Sequence, residues 1–298
     1  MYPNEFDYYE ATSVEEALDL LEEHGDQNTE LLAGGHSLIP TMKSGLADPD
    51  VLVDISGVES MQGIEDEGDS VSIGAMTKYA DIAESDVVEA AAPALRHATE
   101  QVGDKQVRNR GTIGGNLAHA DPASDLPGAA IAADATIVVQ GADGKRRVDA
   151  EEFFMGMYMT DVGHDELVVR VEVPATGEDT VGAYAKKPSP SSGYAMVGVA
   201  ATLTVADGAV ENARVGANGA MDHGVRLGPV EDAIEGDDLT SERIENAASH
   251  ATDDLDVDMM MDDLQASGDF RAQLLEVYTR RALEAAAERA SAAAPAAD

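Results

Sequence analysis

The sequence predicts a mixed α+β fold in three units, and three observations carry that prediction. A capping pair, Ser13 and Glu16, opens a helix between two short apolar strands near the N-terminus. Strand-like and helical runs then alternate as far as residue 176. Beyond a stretch rich in Pro, Thr, Gly and acid at 174–179, three strands precede three helices.

In the first unit, residues 1–60, a strand is expected at 6–9. Val14, Ala17, Leu18 and Leu21 then share one helical face, and His24-Gly25 is the expected helix stop. A short strand at 30–33 runs into Gly34-Gly35-His36-Ser37, and 51–55 reads as another strand. The second unit, 61–176, has expected strands at 70–75, 135–140 and 167–173, with Asp143-Gly144 as a hairpin turn. Helices are expected at 79–83 and 87–98, followed by a long loop at 107–127. The third unit, 177–290, begins with strands at 182–186, 195–205 and 210–216, the last two joined through Asp207-Gly208. Helices at 230–234, 241–252 and 269–290 follow, and residues 291–298 read as a frayed tail.

Composition excludes several function classes. The chain has 298 residues, 58 acidic and 19 basic, for a formal charge of −39. Such a chain repels phosphate, so nucleic acid and anionic membrane are not expected partners. The acid is spread along the chain, and only 6 of the basic residues are Lys against 13 Arg. That pattern reads as adaptation to a salt-rich cytoplasm, where ions screen self-repulsion; an ordinary acidic protein is the alternative. With no cysteine, disulfides, Cys-ligated zinc, iron–sulfur clusters and a cysteine nucleophile are all excluded from this chain. No signal-like segment or apolar run of membrane-spanning length is present, so a cytoplasmic location is expected.

Two constellations could carry chemistry. The first is Leu32-Ala33-Gly34-Gly35-His36-Ser37, where adjacent glycines at a strand end let backbone N–H groups turn toward an anion and Ser37 adds a hydroxyl and a helix cap. Alone, a glycine pair most often reads as a plain turn. The second is Thr112-Ile113-Gly114-Gly115-Asn116, followed by an almost uncharged run to Pro127 that contains Asp125. Thr112 and Asn116 can bond phosphate or sugar oxygens, and Asp125 suits a ribose or ribityl hydroxyl. Lys105, Arg108 and Arg110 lie just upstream and read either as counter-charge for an anion or as a salt-bridge cluster. Motifs for a Rossmann site, a P-loop, a nucleophile elbow and a zincin are absent, and no metal site is expected. Two separated glycine loops suit a long anionic ligand with two ends, such as a dinucleotide.

The segments Ala33–Pro40 and Thr112–Pro122, with Pro3–Phe6, Val107–Gly111 and the overall length, resemble the FAD-binding medium subunit of molybdenum hydroxylases. The form with a separate flavin chain, typified by aerobic carbon monoxide dehydrogenase, matches best, and xanthine dehydrogenase flavin chains are similar. The resemblance implies a vanillyl-alcohol-oxidase (PCMH)-type FAD-binding domain over 1–176, in two α+β subdomains. It also implies a sheet-and-helix C-terminal domain over 177–290, of the carbon monoxide dehydrogenase flavoprotein type. Residues 32–37 and 112–116 would then wrap the FAD pyrophosphate, with Asp125 on another polar group of the cofactor. Lys186 would lie near the flavin and Tyr194 beside the isoalloxazine. The segment Lys187–Ser192 departs from the family pattern.

The resemblance implies no catalytic side chain in this chain, since the flavin carries the redox chemistry. It implies a molybdenum-cofactor large subunit and a [2Fe-2S] small subunit as partners in a heterotrimer, with dimers of that heterotrimer also open. Electrons would come from the partner's clusters and leave to an external acceptor. A stand-alone FAD-dependent oxidoreductase and an acidic binding module whose glycine loops are only turns are the rival readings.

Overall fold

The computed structural model describes residues 2–177 and 179–293. The first unit holds β1 (Asp7–Glu10), α1 (Val14–Glu23), β2 (Thr29–Leu32), α2 (Leu38–Ser44) and β3 (Val51–Asp54). Its strands pair in parallel in the order β1-β3-β2. The unbroken Val51-Leu52-Val53 run is the central strand, and all three side chains are buried. Ser13 accepts the Glu16 N–H at 3.1 Å, while the Glu16 carboxylate takes the Thr12 N–H at 2.8 Å, so α1 is capped from both directions. Gly25 does not supply a left-handed stop. The helix ends at His24 with an ordinary negative φ, and the left-handed C-cap belongs to Gly45 after α2.

The second unit continues with β4 (Ile64–Asp66), β5 (Ser70–Gly74), α3 (Tyr79–Ala83), α4 (Asp86–Ala91), α5 (Pro93–Glu100), α6 (Lys105–Arg108), α7 (Ile113–His119) and α8 (Leu126–Ala132). After these come β6 (Thr136–Gly141), β7 (Gly144–Asp149), α9 (Ala150–Phe153), β8 (Phe154–Gly156), β9 (Met159–Thr160) and β10 (Leu167–Pro174). An antiparallel sheet of order β4-β5-β10-β6-β7 forms its floor. Two expectations are corrected here. The helix expected at 87–98 is two helices, because Pro93 cannot donate an N–H and pushes Ala92 to φ −143°, ψ 64°. The loop expected at 107–127 contains α7 and the start of α8. Glycines disfavour a helix in isolation, but packing decides otherwise: a Cβ on Gly114 would lie 2.4 Å from the Ala75 Cβ.

The third unit comprises β11 (Thr180–Pro188), β12 (Ala195–Ala206), β13 (Ala209–Asn218), β14 (Val225–Arg226), α10 (Gly228–Ile234), α11 (Ser241–Ala248) and α12 (Gly268–Ala293). Its antiparallel sheet runs β11-β12-β13-β14, and Asp207 (φ 52°) and Gly208 (φ 84°) make the expected tight turn between β12 and β13. The helix expected at 241–252 stops at Ala248. The tail expected to fray from residue 291 is helical to Ala293, and its residues 294–298 lie outside the described residues. One face of the sheet packs on α12 and the other on α5 and α8. The approach of α8 is close: a Cβ on Gly216 would lie 2.0 Å from the Gly128 carbonyl oxygen. One buried core thus serves the first two units and a second serves the third, with Tyr184 and Ala200 of the third sheet joining the first core. Among the described residues no helix is long and apolar enough to cross a membrane.

Candidate functional site

A cleft of about 580 Å³ lies between the end of β2 and the start of α7, and both glycine loops form its walls. Tertiary structure joins them directly. A Cβ on Gly34 would lie 2.4 Å from the Arg110 carbonyl oxygen and 2.8 Å from the Gly111 Cα, so the loops touch backbone to backbone. Gly35 has φ +74°, the left-handed region where a side chain is strained. The second loop is zipped to the segment after β5: Gly114 N–H donates to Ala75 at 2.8 Å, Ile113 N–H to Thr77 at 3.1 Å and Tyr79 N–H to Gly111 at 3.1 Å.

The cleft keeps hydrogen-bonding capacity unused. Among the described residues, the N–H groups of Gly35, His36, Ser37 and Gly115 have no protein acceptor, and all four residues line the cleft. The Thr112 hydroxyl is buried on the same wall without a partner. The Thr112 hydroxyl is the buried one, and a buried polar group without a partner is rare in folded proteins; the four N–H groups, on partly buried or exposed residues, face the same concavity, which suits an oxygen-rich anion. Room is limited by the glycines: a Cβ on Gly115 would lie 2.9 Å from Thr112 Oγ1 and 3.1 Å from the Ala33 Cβ. No Lys or Arg side chain lines the cleft among the described residues. Lys105, Arg108 and Arg110, expected beside an anion, are not on its wall; Arg108 instead donates to the Val102 carbonyl at 2.9 Å and the Gly103 carbonyl at 3.2 Å.

The sequence-derived site residues divide into three groups. Ala33, Gly34, Gly35, His36, Ser37, Thr112, Gly114, Gly115 and Asn116 line the cleft. Leu32 and Ile113 stand behind it: Leu32 ends β2, and Ile113 is fully buried in the core. Ser37 begins α2 but makes no side-chain cap. Asn116 is engaged on both ends of its amide, donating from Nδ2 to the Tyr79 hydroxyl at 2.9 Å and accepting from Ser124 at 2.8 Å. Asp125, Lys186 and Tyr194 are not on the wall of this cleft. Asp125 and Lys186 form a buried ion pair at 2.8 Å, completed by the Tyr184 hydroxyl at 2.6 Å from Asp125 and by carbonyls of Gln101 and Gly193 facing Lys186 Nζ. Burial pushes the Asp125 carboxyl above its ordinary range, against the pull of the Lys186 ammonium and the Lys186 and Tyr184 hydrogen bonds.

Tyr194 lines an adjoining pocket of about 290 Å³, which meets the main cleft at Tyr158. Its hydroxyl pKa is raised by burial and by the Asp121 carboxylate, with the Ser37 hydroxyl pulling the other way. Sequence reasoning did not find Tyr79, His119 or Tyr158. Tyr79 is buried on the cleft wall, and the His119 ring lies 5.1 Å from that of Tyr158. Tyr79 and Tyr158 sit in no recognisable motif, and His119 lies within Thr112–Pro122 with no local signal of a role at the site; only the chain's return through space brings the three together at the cleft.

Residues 4–176 match the family model for the FAD binding domain in molybdopterin dehydrogenase, and residues 182–286 match the carbon monoxide dehydrogenase flavoprotein C-terminal domain. The chain belongs to this FAD-binding family. FAD is therefore its cofactor, and the chain is an oxidoreductase subunit of the carbon monoxide and xanthine dehydrogenase type. It is 38% identical over 285 residues to the glyceraldehyde dehydrogenase medium chain of Sulfolobus acidocaldarius, covering 95% of this chain and 99% of that one. It is 36% identical over 286 residues to the carbon monoxide dehydrogenase medium chain of Hydrogenophaga pseudoflava, covering 96% and 98%. A structure of carbon monoxide dehydrogenase from Hydrogenophaga pseudoflava, lacking the Mo-pyranopterin moiety, superposes with a TM-score of 0.90 at 37% identity, covering 97% of this chain and 99% of that one. The unused N–H groups, the buried Thr112 hydroxyl and the glycine-limited walls fit the pyrophosphate of this flavoprotein's cofactor.

Proposed function

We propose that this chain is the FAD-carrying electron-transfer subunit of a multi-chain molybdenum hydroxylase. The observation that carries the reading is the cleft between two touching glycine loops where, among the described residues, the N–H groups of Gly35, His36, Ser37 and Gly115 and the buried Thr112 hydroxyl have no protein partner. The N–H groups of Gly35, His36, Ser37 and Gly115 and the Thr112 hydroxyl would hold the pyrophosphate. FAD held there would supply the redox chemistry, the relay between iron–sulfur clusters on a small partner chain and an external acceptor. The chain has no cysteine, so those clusters belong to that partner, and substrate oxidation belongs to a molybdenum-bearing large subunit. The buried Asp125–Lys186 pair would brace the third sheet against α8 behind the cofactor, and Tyr194 would close the flavin end.

The domain division that follows is 1–176 for the cofactor and 177–290 for the C-terminal domain. The charge of −39 with few lysines supports a salt-adapted, cytoplasmic member of the family.

The chain would be purified in high salt with FAD, desalted into FAD-free high-salt buffer and examined by visible absorbance. Flavin bands retained with the protein, and co-purification of cysteine-rich and molybdenum-binding chains from the native host, are the expected results. A folded, colourless chain in the native complex would refute the reading.

A further inference from the structure

The hydroxyl of Tyr79, on the cleft wall, is held in place by the protein without its proton being used. Tyr79 Oη accepts the Asn116 Nδ2–H at 2.9 Å, and Asn116 cannot turn away because its Oδ1 is held by Ser124 at 2.8 Å. A phenol has one donor and can accept as well. With an acceptor lone pair committed to Asn116, the O–H must point elsewhere, and among the described residues no protein acceptor takes it. Burial raises the Tyr79 pKa well above its ordinary value, so the proton stays on the oxygen. The ring itself is locked. Its edge lies where a Cβ on Gly111 would be, 2.2 Å from Cε2, and its backbone N–H is bonded to Gly111. Tyr79 thus sits against the second glycine loop, bonded to the residue that precedes Thr112 and its unpartnered hydroxyl.

Resting on the reading of the cleft as the FAD site, we propose that the Tyr79 hydroxyl is a direct cofactor contact, donating to an oxygen of the FAD pyrophosphate. Ser124 and Asn116 are positioning residues that set the direction of that donor. Asn116 therefore serves the cofactor through Tyr79 rather than through its own amide.

The test compares the full-length chain with Tyr79→Phe, which removes one oxygen and keeps the ring under Gly111. Dissociation constants would be measured by equilibrium titration for FAD, ADP and riboflavin, with unfolding midpoints of the cofactor-free proteins alongside. A hydrogen bond to a charged oxygen corresponds to a weakening of about 10- to 100-fold, roughly 1.4 to 2.8 kcal/mol. That loss is expected for FAD and ADP, which carry the pyrophosphate, and not for riboflavin, which lacks it. Ser124→Ala, which frees Asn116 to rotate, is expected to weaken FAD binding by a smaller factor with riboflavin again unchanged. Equal FAD affinity in Tyr79→Phe and wild type would overturn the contact while leaving the cleft reading intact. So would equal losses for all three ligands with a lowered cofactor-free midpoint, since that pattern marks a structural hydroxyl. A wild-type chain that binds neither FAD nor ADP would overturn the cleft reading itself, and this inference with it.

Discussion

Gly34→Ala is the sharpest perturbation the structure offers. Gly34 does not have a positive φ, so its replacement carries no backbone strain and the whole effect is steric. The new methyl would lie 2.4 Å from the Arg110 carbonyl oxygen, whereas ordinary contact begins at 3.4 Å. Relief requires the two glycine loops to separate by about 1 Å, and neither atom belongs to a flexible side chain. Overpacking of this kind costs about 1–3 kcal/mol, and a fixed backbone obstacle places it toward 3. Separation of the loops also widens the cofactor cradle, so FAD affinity should fall at least tenfold, or about 1.4 kcal/mol. Urea unfolding with and without FAD reads both effects. At free FAD of about 100 times its dissociation constant, the wild type gains about 2.7 kcal/mol, and the variant should gain distinctly less at the same concentration. Gly228→Ala is the control: nothing lies within 4 Å of the new Cβ, in the first turn of α10, and stability should be unchanged or slightly raised. A Gly34→Ala protein with wild-type stability and wild-type FAD affinity would refute the claim that loop contact sets the width of the site.

Gly115→Val should abolish FAD retention, because its branches enter the space between Thr112 Oγ1 and the Ala33 Cβ; a fully flavinylated variant would remove Gly115 from the cradle. Asp125→Ala should destabilise the protein by about 3–5 kcal/mol by stranding the Lys186 ammonium, and Asp125→Ala/Lys186→Met should recover much of it in urea unfolding. With no Lys or Arg on the cleft wall among the described residues and a charge of −39, FAD affinity should rise between 0.1 and 1 M KCl, as the screening length shrinks from about 10 to 3 Å. Uncharged riboflavin should bind equally at both salt concentrations, and FAD binding that weakens with salt would contradict the argument. His97 is held below its ordinary value of 6.5 by burial and by Arg289, against Glu89 and Glu100. The unfolded chain then takes up that proton first, so this contribution is present above about pH 6.5 and lost as pH falls below it. Unfolding free energies at pH 7.5 and 5.5 should differ less in His97→Gln than in wild type.

Particular residues show how far local sequence carries the fold. The Val51-Leu52-Val53 run and the Asp207-Gly208 turn are specified by hydrophobicity and dihedral preference within a few residues, and the structure contains both. The helix at Ile113–His119 is not specified locally. Two glycines argue against it, and the structure shows Gly114 letting this helix pass Ala75 more closely than any side chain would allow. Asn116 and Asp125 illustrate the same limit for the site. Asn116 is a residue type that suits a sugar or phosphate and Asp125 one that suits a sugar hydroxyl, yet Tyr79, Ser124, Tyr184 and Lys186 engage them.

By itself, the sequence determined the charge, the absence of any cysteine ligand in this chain, and the two glycine loops whose surroundings resemble those of a flavoprotein family. These are properties of composition and of single short segments. Only the tertiary structure decided that the loops touch, which N–H groups stay unpaired, that Lys105, Arg108 and Arg110 do not line the cleft, and that Tyr79 does. The physical reason is that a hydrogen-bonding group is available to a ligand only when no other part of the chain has satisfied it. That accounting closes across residues far apart in sequence.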